Sequence, residues 1–456
     1  MNNSFLRYWI GLLVLVALNA CASPLTPAHT PTVQVVQVTP TPIPIKTTPF
    51  IPSRHVRAPT ITPSAIPASP TPQPTSRPLY LLFPDAELVY SPTALDFDTS
   101  AYLHSANGFL STYEQYLMMT GWASAADIIN LVALENSINP RLLLALLEYQ
   151  SGCVLGHPTD AENFDTALGA QDYYRKDLYG QLVWAVRILS EGFYGWRTGT
   201  LTMISFSDGT VFRPPPQSNA GTVSVQYFFA QLYNHDIWEQ ALDTRNGFPA
   251  LYERMFGDAW ERAANVEHLV SADLSQPLLT LPFEPGETWA YTGGPHPAFE
   301  GNGPLAALDF APRTEKSGCI ASGEWVVAVA DGLVVRSNFG AVIQDLDGDG
   351  HEQTGWAVMY LHIDEQDCVD GNVYLRAGER VGHPSCEGGR ATGTHLHIVR
   401  KYNGVWIAAD GTIPFVLDGW SAHAGEAPYK GTLTRGTETV TAHEFGSAIS
   451  LITRDE

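Results

Sequence analysis

Basic residues are scarce in this 456-residue chain: 25 lysines and arginines face 47 aspartates and glutamates, for a net charge of −22. A basic surface able to neutralise a row of phosphates is therefore not expected, which argues against nucleic acid as a partner. The sequence also lacks an apolar run of about 20 residues, the length that spans a bilayer. Together with 45% apolar residues, 39 glycines and 33 prolines, this excludes polytopic membrane proteins, coiled coils and collagens, and it predicts globular domains joined to a structureless segment.

Acidic residues are absent from the first 84 positions. Residues 1–21 combine one positive charge (Arg7), an apolar run over residues 8–18 and small residues before Cys21, which is the order of a secretory signal. The sequence Leu-Asn-Ala-Cys at 18–21 resembles the bacterial lipobox, and this resemblance implies cleavage before Cys21 and acylation of its thiol. A plain membrane span is the alternative, but the apolar run is too short to cross a bilayer.

Residues 22–79 contain 15 of the 33 prolines and no acidic residue. Such a segment has too few backbone donors and too little apolar side chain to fold, so we predict a disordered linker that holds the following domains away from a membrane. A proline-rich ligand for a partner domain is the alternative.

Cysteines are few, five in all. If Cys21 is lipidated, four remain, and an exported protein reaches a compartment where thiols oxidise. Three of these four lie in the last third of the chain, so we expect one disulfide there and one thiol left over. The pairing stays open among Cys153, Cys319, Cys368 and Cys386.

Residues 80–275 have the pattern of a helical region. Asn139 and Pro140 supply an N-cap and a proline at the first helical position, ahead of an almost wholly apolar run at 142–147. This pattern predicts a buried central helix. Apolar spacing predicts further helices at 126–137, 178–189, 223–233 and 248–267.

Residues 137–152 resemble the segment of lysozyme-like lytic transglycosylases and glucosaminidases that carries their catalytic acid. In that family a glutamate normally precedes the serine found here at Ser151, but this chain has Gln150, and an amide cannot protonate a leaving glycosidic oxygen. The resemblance therefore implies a lysozyme-like accessory domain that recognises the cell wall. The alternative is a surviving glycosidase that uses another acidic residue of the region. Those candidates are Glu135, Glu148 and Glu162.

Residues 276–456 have the pattern of a mostly antiparallel β domain. Asp331-Gly332 separates two apolar runs, at 325–330 and 333–336, and predicts a two-residue hairpin. Tyr402-Asn403-Gly404 connects residues 394–401 to residues 405–407 and predicts a second hairpin.

Two histidines of this region, His395 and His397, lie two positions apart on a predicted strand, so their side chains face the same way. An isolated His-x-His pattern is weak support for metal binding. With His296 and Asp309 upstream, however, it becomes the set of nitrogen and oxygen donors that suits zinc.

The wider pattern resembles the lysostaphin-like zinc endopeptidases, most closely their β-lytic, LasA-like branch. The chain reads Cys-Glu-Gly-Gly at 386–389 and His-Leu-His at 395–397, and its upstream His and Asp are 13 positions apart, at 296 and 309. The resemblance implies that one zinc ion is held by three side chains, with a fourth position left for water. Those implied ligands are His296, Asp309 and His397.

The same resemblance implies that His362 and His395 are the catalytic histidines, in place of the glutamate base of His-Glu-x-x-His proteases. A neutral imidazole accepts a proton near pH 7 and, once charged, stabilises an oxyanion. Tyr429 is the candidate for a tyrosine that assists the transition state in some relatives. A plain packing role for Tyr429 is the alternative.

Three aspartates, Asp345, Asp347 and Asp349, have the carboxylate spacing of the start of an EF-hand loop. The twelfth position is Trp356 instead of the bidentate glutamate, which excludes a complete EF-hand. A calcium site completed by other groups is one hypothesis, and an exposed acidic turn is the other.

The sequence therefore predicts a multidomain fold, with an α-helical lysozyme-like domain at 80–275 followed by a mostly antiparallel β peptidase domain at 276–456. The predicted function is that of a lipid-anchored, extracytoplasmic zinc metalloendopeptidase that hydrolyses peptide bonds in the stem peptides or cross-links of peptidoglycan. The alternatives are a non-catalytic wall-binding or amidase-activating lipoprotein and a glycan-cleaving muramidase. The predicted partners are peptidoglycan and, through the lipid, a membrane.

Overall fold

The computed structural model describes residues 78–158, 161–266, 268–313 and 318–456. The predicted signal peptide, Cys21 and the predicted linker up to residue 77 lie outside the described residues. All the described residues belong to one compact unit. Within the described ranges, no helix has both the length and the apolar character needed to cross a membrane.

The described chain up to residue 264 is mainly helical, as the sequence predicts. Its α-helices are α1 (Asp85–Leu88), α2 (Thr99–Ala106), α3 (Ala125–Asn136), α4 (Pro140–Ser151), α5 (Asp177–Thr198), α6 (Ala220–Ala230), α7 (His235–Ala241), α8 (Phe248–Phe256) and α9 (Ala259–Ala264). Two short hairpins accompany them, β1 (Glu114–Leu117) with β2 (Gly121–Ser124) and β3 (Ile204–Ser205) with β4 (Val211–Phe212).

Local signals account for the two central helices. Helix α3 begins at a capping box, in which the Ser124 hydroxyl accepts from the Asp127 N–H and the Asp127 carboxylate accepts from the Ser124 N–H. Helix α4 begins as predicted, with the Asn139 side chain accepting from the Arg141 N–H. Residues 142–147 are all buried, which confirms the predicted central helix.

The single helix predicted over residues 248–267 is wrong, because α8 and α9 are separate. Gly257 has a positive φ of 78°, which glycine adopts without steric cost, and this backbone conformation ends α8. The Asp258 carboxylate then accepts from the Trp260 and Glu261 N–H groups and caps α9. The apolar spacing runs through this break, so periodicity alone does not reveal it.

The rest of the chain is an antiparallel β structure. Its strands are β5 (Thr288–Phe299), β6 (Asn302–Pro312), β7 (Val326–Val327), β8 (Gly332–Asn338), β9 (Ala341–Asp345), β10 (Trp356–Leu361), β11 (Tyr374–Leu375), β12 (Arg380–Gly382), β13 (Leu396–Tyr402), β14 (Val405–Trp406), β15 (Val416–Leu417), β16 (Trp420–Ala424), β17 (Gly431–Arg435), β18 (Glu438–Thr441) and β19 (Leu451–Thr453). The largest sheet has nine strands in the order β11-β8-β9-β10-β13-β6-β5-β19, with β14 paired to β13. A second sheet has the order β15-β16-β17-β18, and β7 pairs with β12.

The hairpin predicted at Asp331-Gly332 is wrong. Strand β7 pairs with β12, whereas β8 pairs with β9 and β11. Glycine is required at position 332 because β8 and β9 pack closely there, and not because the chain turns. A Cβ at this position would collide with the Asp345 carbonyl oxygen of β9. The hairpin predicted at Tyr402-Asn403-Gly404 is confirmed, although Tyr402 still belongs to the strand and pairs with Val405. The turn consists of Asn403 and Gly404, which have positive φ of 48° and 78°.

The helical region packs against one face of the nine-stranded sheet and shares a core with it. Residues that point to this face, such as Phe299, Met359 and Val399, belong to the same buried cluster as α3 to α6. Residues at alternate positions, such as Leu308 and Ile398, belong to a second cluster on the opposite face. Polar contacts join the two regions as well, because the Ser137 hydroxyl donates to the Gly404 carbonyl oxygen at 2.6 Å.

Candidate metal centre

Neighbouring strands bring the predicted metal ligands together. His397 of β13 is the cross-strand partner of Asp309 of β6, which in turn pairs with Gly293 of β5. His296 follows Gly293 by three residues, in a part of β5 where the register shifts, and pairs with Ala307. Residues 101 positions apart in the chain thereby face one point.

The three ligand atoms lie within bonding reach of a common ion. His296 Nε2 is 3.0 Å from His397 Nδ1, and Asp309 Oδ1 is 3.2 Å from the former and 3.4 Å from the latter. All three side chains are buried. Three protein ligands around a site that still opens on a cleft match hydrolytic zinc centres, which keep one coordination position for water.

Backbone carbonyls fix the tautomer of both imidazoles in their neutral form. His296 Nδ1–H donates to the Gly294 carbonyl oxygen at 2.8 Å, and His397 Nε2–H donates to the Ala298 carbonyl oxygen at 2.9 Å. The other nitrogen of each ring therefore presents a lone pair to the shared space. Asp309 Oδ1 is buried there without a hydrogen-bond partner among the described residues. Three acceptors that face one another need a cation between them, so this set of residues fits zinc.

Electrostatics also keep the carboxylate ionised. Burial alone would raise the pKa of Asp309. The neighbouring imidazoles instead keep this pKa well below its usual value, and His296 has the largest effect among them. Burial would likewise lower the pKa of His296, but the Asp309 carboxylate raises it above its usual value. The negative charge that a divalent ion requires is therefore present at neutral pH.

The two predicted catalytic histidines lie on the cleft side of these ligands. His395 Nδ1–H donates to the Gly393 carbonyl oxygen at 2.7 Å, and His362 Nδ1–H donates to the Glu387 carbonyl oxygen at 2.7 Å. In their neutral form both rings therefore carry the lone pair on Nε2, and their centroids are 4.5 Å apart. His395 Nε2 is 3.8 Å from Asp309 Oδ1, so this ring faces the ligand cluster.

The backbone at the end of β10 directs His362 into the cleft. His362 adopts a left-handed conformation, with φ +67°, which side chains other than glycine seldom take. Burial, with help from the neighbouring imidazoles of His395 and His397, lowers the pKa of His362 to about 3. The ring is therefore neutral near pH 7, with a lone pair on Nε2.

Tyr429 lies beside the ligand cluster. Its ring stacks on the His296 ring at a centroid distance of 4.2 Å, and its φ is +68°. Two backbone hydrogen bonds hold it, because its N–H donates to the Pro295 carbonyl oxygen and its own carbonyl oxygen accepts from Gly294. The side chain is half exposed, so the phenol borders the cleft instead of filling the core.

A disulfide lies beside the cleft, because Cys319 directly follows the cleft residue Gly318. Cys319 is bonded to Cys386, whereas Cys153 and Cys368 are free thiols, which confirms the expected single disulfide and adds the pairing that the sequence left open. Thr394 holds the same segment, because its hydroxyl bonds to the Gly318 carbonyl oxygen at 3.1 Å. The sequence predicted no role for Thr394, because its partners Gly318 and Ile320 lie 76 and 74 positions away.

Gly293 is a second residue for which the sequence predicted no role. A Cβ at this position would collide with the Asp309 carboxylate. A side chain at Gly293 would displace a metal ligand, so the glycine is required for the site. The only sequence signal was its place three residues before His296.

The three aspartates of the predicted calcium loop also lie close together, with carboxylate oxygens within 4.8 Å of one another. Much of their acceptor capacity is used locally. Asp345 accepts from the Asp347 and Gly350 N–H groups, and Asp349 accepts from the His351 N–H. This arrangement is that of an acidic turn, and calcium binding stays a prediction.

The acidic residues considered for glycosidase chemistry have other surroundings. Glu148 Oε2 accepts from the Val154 and Leu155 N–H groups, both at 2.9 Å. Gln150 accepts from the Tyr233 hydroxyl at 2.8 Å. Glu135 lies on α3 and faces the sheet, and burial there raises its pKa to about 7. The side chain of Glu162 lies outside the described part.

Comparisons with known proteins agree with this site. A family model described as "LasA, N-terminal domain" matches residues 81–270. Protease LasA of Pseudomonas aeruginosa is 24% identical over 345 residues, 72% of this chain and 75% of that protein. The β-lytic metalloendopeptidase of Achromobacter lyticus is 30% identical over 169 residues, 35% of this chain and 41% of that protein. The β-lytic metalloendopeptidase of Lysobacter enzymogenes is 28% identical over 160 residues, 35% of this chain and 86% of that protein.

The match to LasA covers the helical region and the β region together, whereas a lysozyme-like identity of the helical region has no support in these comparisons and stays a prediction. The alignments with the β-lytic enzymes are much shorter. The chain therefore belongs to the lysostaphin-like zinc metalloendopeptidases, in their β-lytic, LasA-like branch.

Proposed function

We propose that this protein is a membrane-tethered zinc endopeptidase that hydrolyses peptide bonds in the stem peptides or cross-links of peptidoglycan. The observation that carries the proposal is the convergence of His296, Asp309 and His397, all buried, with lone pairs that face one point beside an open cleft. Kinship with enzymes named β-lytic metalloendopeptidase supports the same chemistry.

In this proposal His296, Asp309 and His397 would hold a zinc ion, which would supply the Lewis acidity that polarises a scissile carbonyl and lowers the pKa of water towards ~7. His362 and His395 present unprotonated Nε2 atoms to the same cleft. Either ring can accept the proton of the attacking water and, once charged, stabilise the oxyanion. The Tyr429 hydroxyl, at the cleft edge, donates a further hydrogen bond to that oxyanion.

We further propose that residues 80–275 form an accessory domain that holds the enzyme on glycan strands, and that residues 276–456 form the peptidase domain. The β1–β2 hairpin supports a binding role. Tyr116 and Trp122 are cross-strand partners whose rings lie 5.9 Å apart, and they are 60% and 73% exposed. Exposed aromatic faces of this kind mark interaction surfaces, and sugar rings stack on them.

The proposed location is outside the cytoplasm, with a lipid on Cys21 as the membrane anchor. The Cys319–Cys386 disulfide supports export, because such bonds persist in oxidising compartments. The proline-rich composition of residues 22–79 suits a tether that lets the enzyme reach the wall.

Mass spectrometry of digested peptidoglycan tests the proposal. The expected products carry new amino termini, and His397→Ala abolishes them. His423→Ala is the matched control, because His423 bonds to Thr434 on β17 and does not line the cleft. New reducing or anhydro sugar ends would instead support a muramidase. Absence of any cleavage by a zinc-loaded protein would support the non-catalytic wall-binding or amidase-activating alternative.

A further inference from the structure

The segment that follows β12 is bonded to both of the predicted catalytic histidines. Ser385 in this segment pairs with His395 as an isolated β-bridge, in which the His395 N–H donates to the Ser385 carbonyl oxygen at 3.3 Å. The Ser385 N–H in turn donates to the His362 carbonyl oxygen at 2.6 Å. One residue thus joins the backbones of the two histidines.

The side chain of Ser385 adds two further hydrogen bonds. Its hydroxyl donates to the His362 carbonyl oxygen at 3.1 Å and accepts from the Glu387 N–H at 3.0 Å. Ser385 is 4% exposed, and hydrogen bonds are strong in such a low-dielectric place. The Glu387 carbonyl oxygen accepts from His362 Nδ1–H. The hydroxyl therefore links the backbone of His362 to the residue that holds its ring.

His362 requires this support because its backbone conformation is unfavourable. A φ of +67° persists in a residue with a Cβ only where the surrounding contacts hold it. The His362 carbonyl oxygen accepts from two donors, the N–H and the hydroxyl of Ser385. The N–H of the same peptide unit, that of Ile363, donates to the Gly340 carbonyl oxygen at 3.0 Å. The peptide unit after His362 is therefore bonded through both of its polar groups.

The carbonyl group that orients the His362 ring is held as well. Gly388, directly after Glu387, packs closely on the turn between β8 and β9, since a Cβ on Gly340 would collide with Gly388 N. The N–H of Glu387 itself is held by the Ser385 hydroxyl. Removal of that hydroxyl would release the one side of Glu387 that close packing does not fix.

We propose that Ser385 is a positioning residue for catalysis, and that its hydroxyl fixes the direction of the His362 Nε2 lone pair. Ser385 does not line the cleft, so it acts through His362 and does not touch the substrate. Small displacements of a reacting group are costly, because catalysis depends on its alignment with the scissile bond. The inference rests on the proposed function, because it adds a residue to the same site.

The test compares zinc-loaded wild-type protein with zinc-loaded Ser385→Ala, and soluble peptidoglycan fragments are the substrate. The measured quantity is the rate at which new amino termini appear, at a series of substrate concentrations. We expect Ser385→Ala to lower kcat about tenfold and to change KM by less than about twofold. The lost hydrogen bonds orient a reacting group and do not bind the substrate, so the effect falls on kcat.

Ser91→Ala is the matched control. Ser91 lies in the helical region and is buried, and its hydroxyl also donates to a backbone carbonyl oxygen, that of Ala86. It likewise accepts from an N–H two positions later, that of Thr93. Both substitutions remove a buried hydroxyl that bridges a donor and an acceptor, so their effects on stability should be similar. Ser91→Ala should nevertheless keep the wild-type kcat.

A second measurement observes the His362 ring directly, by nitrogen-15 NMR of the imidazole, with His362→Gln to assign its signals. Wild-type protein should show the Nδ1–H tautomer alone, because the Glu387 carbonyl oxygen accepts from that nitrogen. Ser385→Ala should show a mixture of both tautomers, and Ser91→Ala should match the wild type.

A wild-type kcat in Ser385→Ala, or an unchanged tautomer of His362 in that variant, would overturn the inference and leave the peptidase proposal standing. Loss of zinc or of the fold in Ser385→Ala, but not in Ser91→Ala, would give Ser385 a structural role and would also overturn it. If zinc-loaded wild-type protein releases no new amino termini, the proposed function itself fails. The two kinds of failure are therefore distinguishable.

Discussion

A buried ion cluster joins three parts of the β region, and its removal gives a pH-dependent prediction. Glu352 is 5% exposed. Its carboxylate accepts from Arg336 Nε at 3.0 Å and from Lys401 Nζ at 2.6 Å. The cluster links β8 and β13 to the loop before β10. We predict that Glu352→Gln lowers the free energy of unfolding at pH 7, with a loss that diminishes in acid.

The magnitude follows from the carboxylate's pKa. Burial would raise the pKa of Glu352, but Arg336 and Lys401 lower it from 4.5 to about 2. A difference of about 2.5 between the unfolded and folded values corresponds to about 3 kcal/mol. Because the folded pKa is the lower one, this stabilisation is complete above about pH 4.5 and is lost as pH falls through about 2. At pH 3 roughly 1.4 kcal/mol should remain.

Urea unfolding followed by tryptophan fluorescence measures the effect, with EDTA in every sample so that loss of metal in acid does not contribute. Glu438→Gln is the control, because the Glu438 side chain is 61% exposed and pairs with Arg435 at the surface. The control should change stability by less than about 1 kcal/mol. A Glu352→Gln effect under about 1 kcal/mol at pH 7, or one that stays constant to pH 3, would refute the reasoning.

Three further predictions concern separate parts of the molecule. Gly293→Ala should abolish stoichiometric zinc binding while the fold persists, because the new methyl group collides with the Asp309 carboxylate. Elemental analysis measures the zinc content and circular dichroism measures the fold. A variant that retains zinc would contradict the prediction. Glu135→Gln should stabilise the protein above pH 7 by about 3 kcal/mol and have little effect below about pH 4.5. The reason is that burial raises the pKa of Glu135 to about 7, so the wild-type folded state loses stability as this carboxyl group ionises. A free energy of unfolding that shows no such pH dependence would contradict the prediction. Trp122→Ala should weaken co-sedimentation with purified walls about fivefold without changing cleavage of a short soluble peptide; unchanged co-sedimentation would contradict a binding role for the hairpin.

The ligand cluster could be predicted from sequence because its chemistry is carried by motif spacing. The strand alternation that makes His395 and His397 face alike is a local property. The structure brings these residues together with His296, Asp309 and His362, as the resemblance implies. Helix α4 was equally predictable, because its cap and first-turn proline are adjacent in the chain.

Features that depend on distant partners could not be predicted in this way. Asp331-Gly332 has the composition of a hairpin, but Gly332 is required by the approach of β9, so the local pattern gave the wrong pairing. The choice of Cys319 as the partner of Cys386, with Cys368 left free, depends on tertiary contacts. The common core of helices and sheet also arises only when both are folded.

Zinc content measured by elemental analysis, after removal of loosely bound metal, tests the central claim most directly. Wild-type protein should retain about one zinc per chain, as three-ligand catalytic sites do. Asp309→Asn should retain almost none, and Asp345→Asn, in the separate acidic turn, should retain as much as wild type. Zinc-free wild-type protein after reconstitution, or Asp309→Asn with full zinc, would contradict the account.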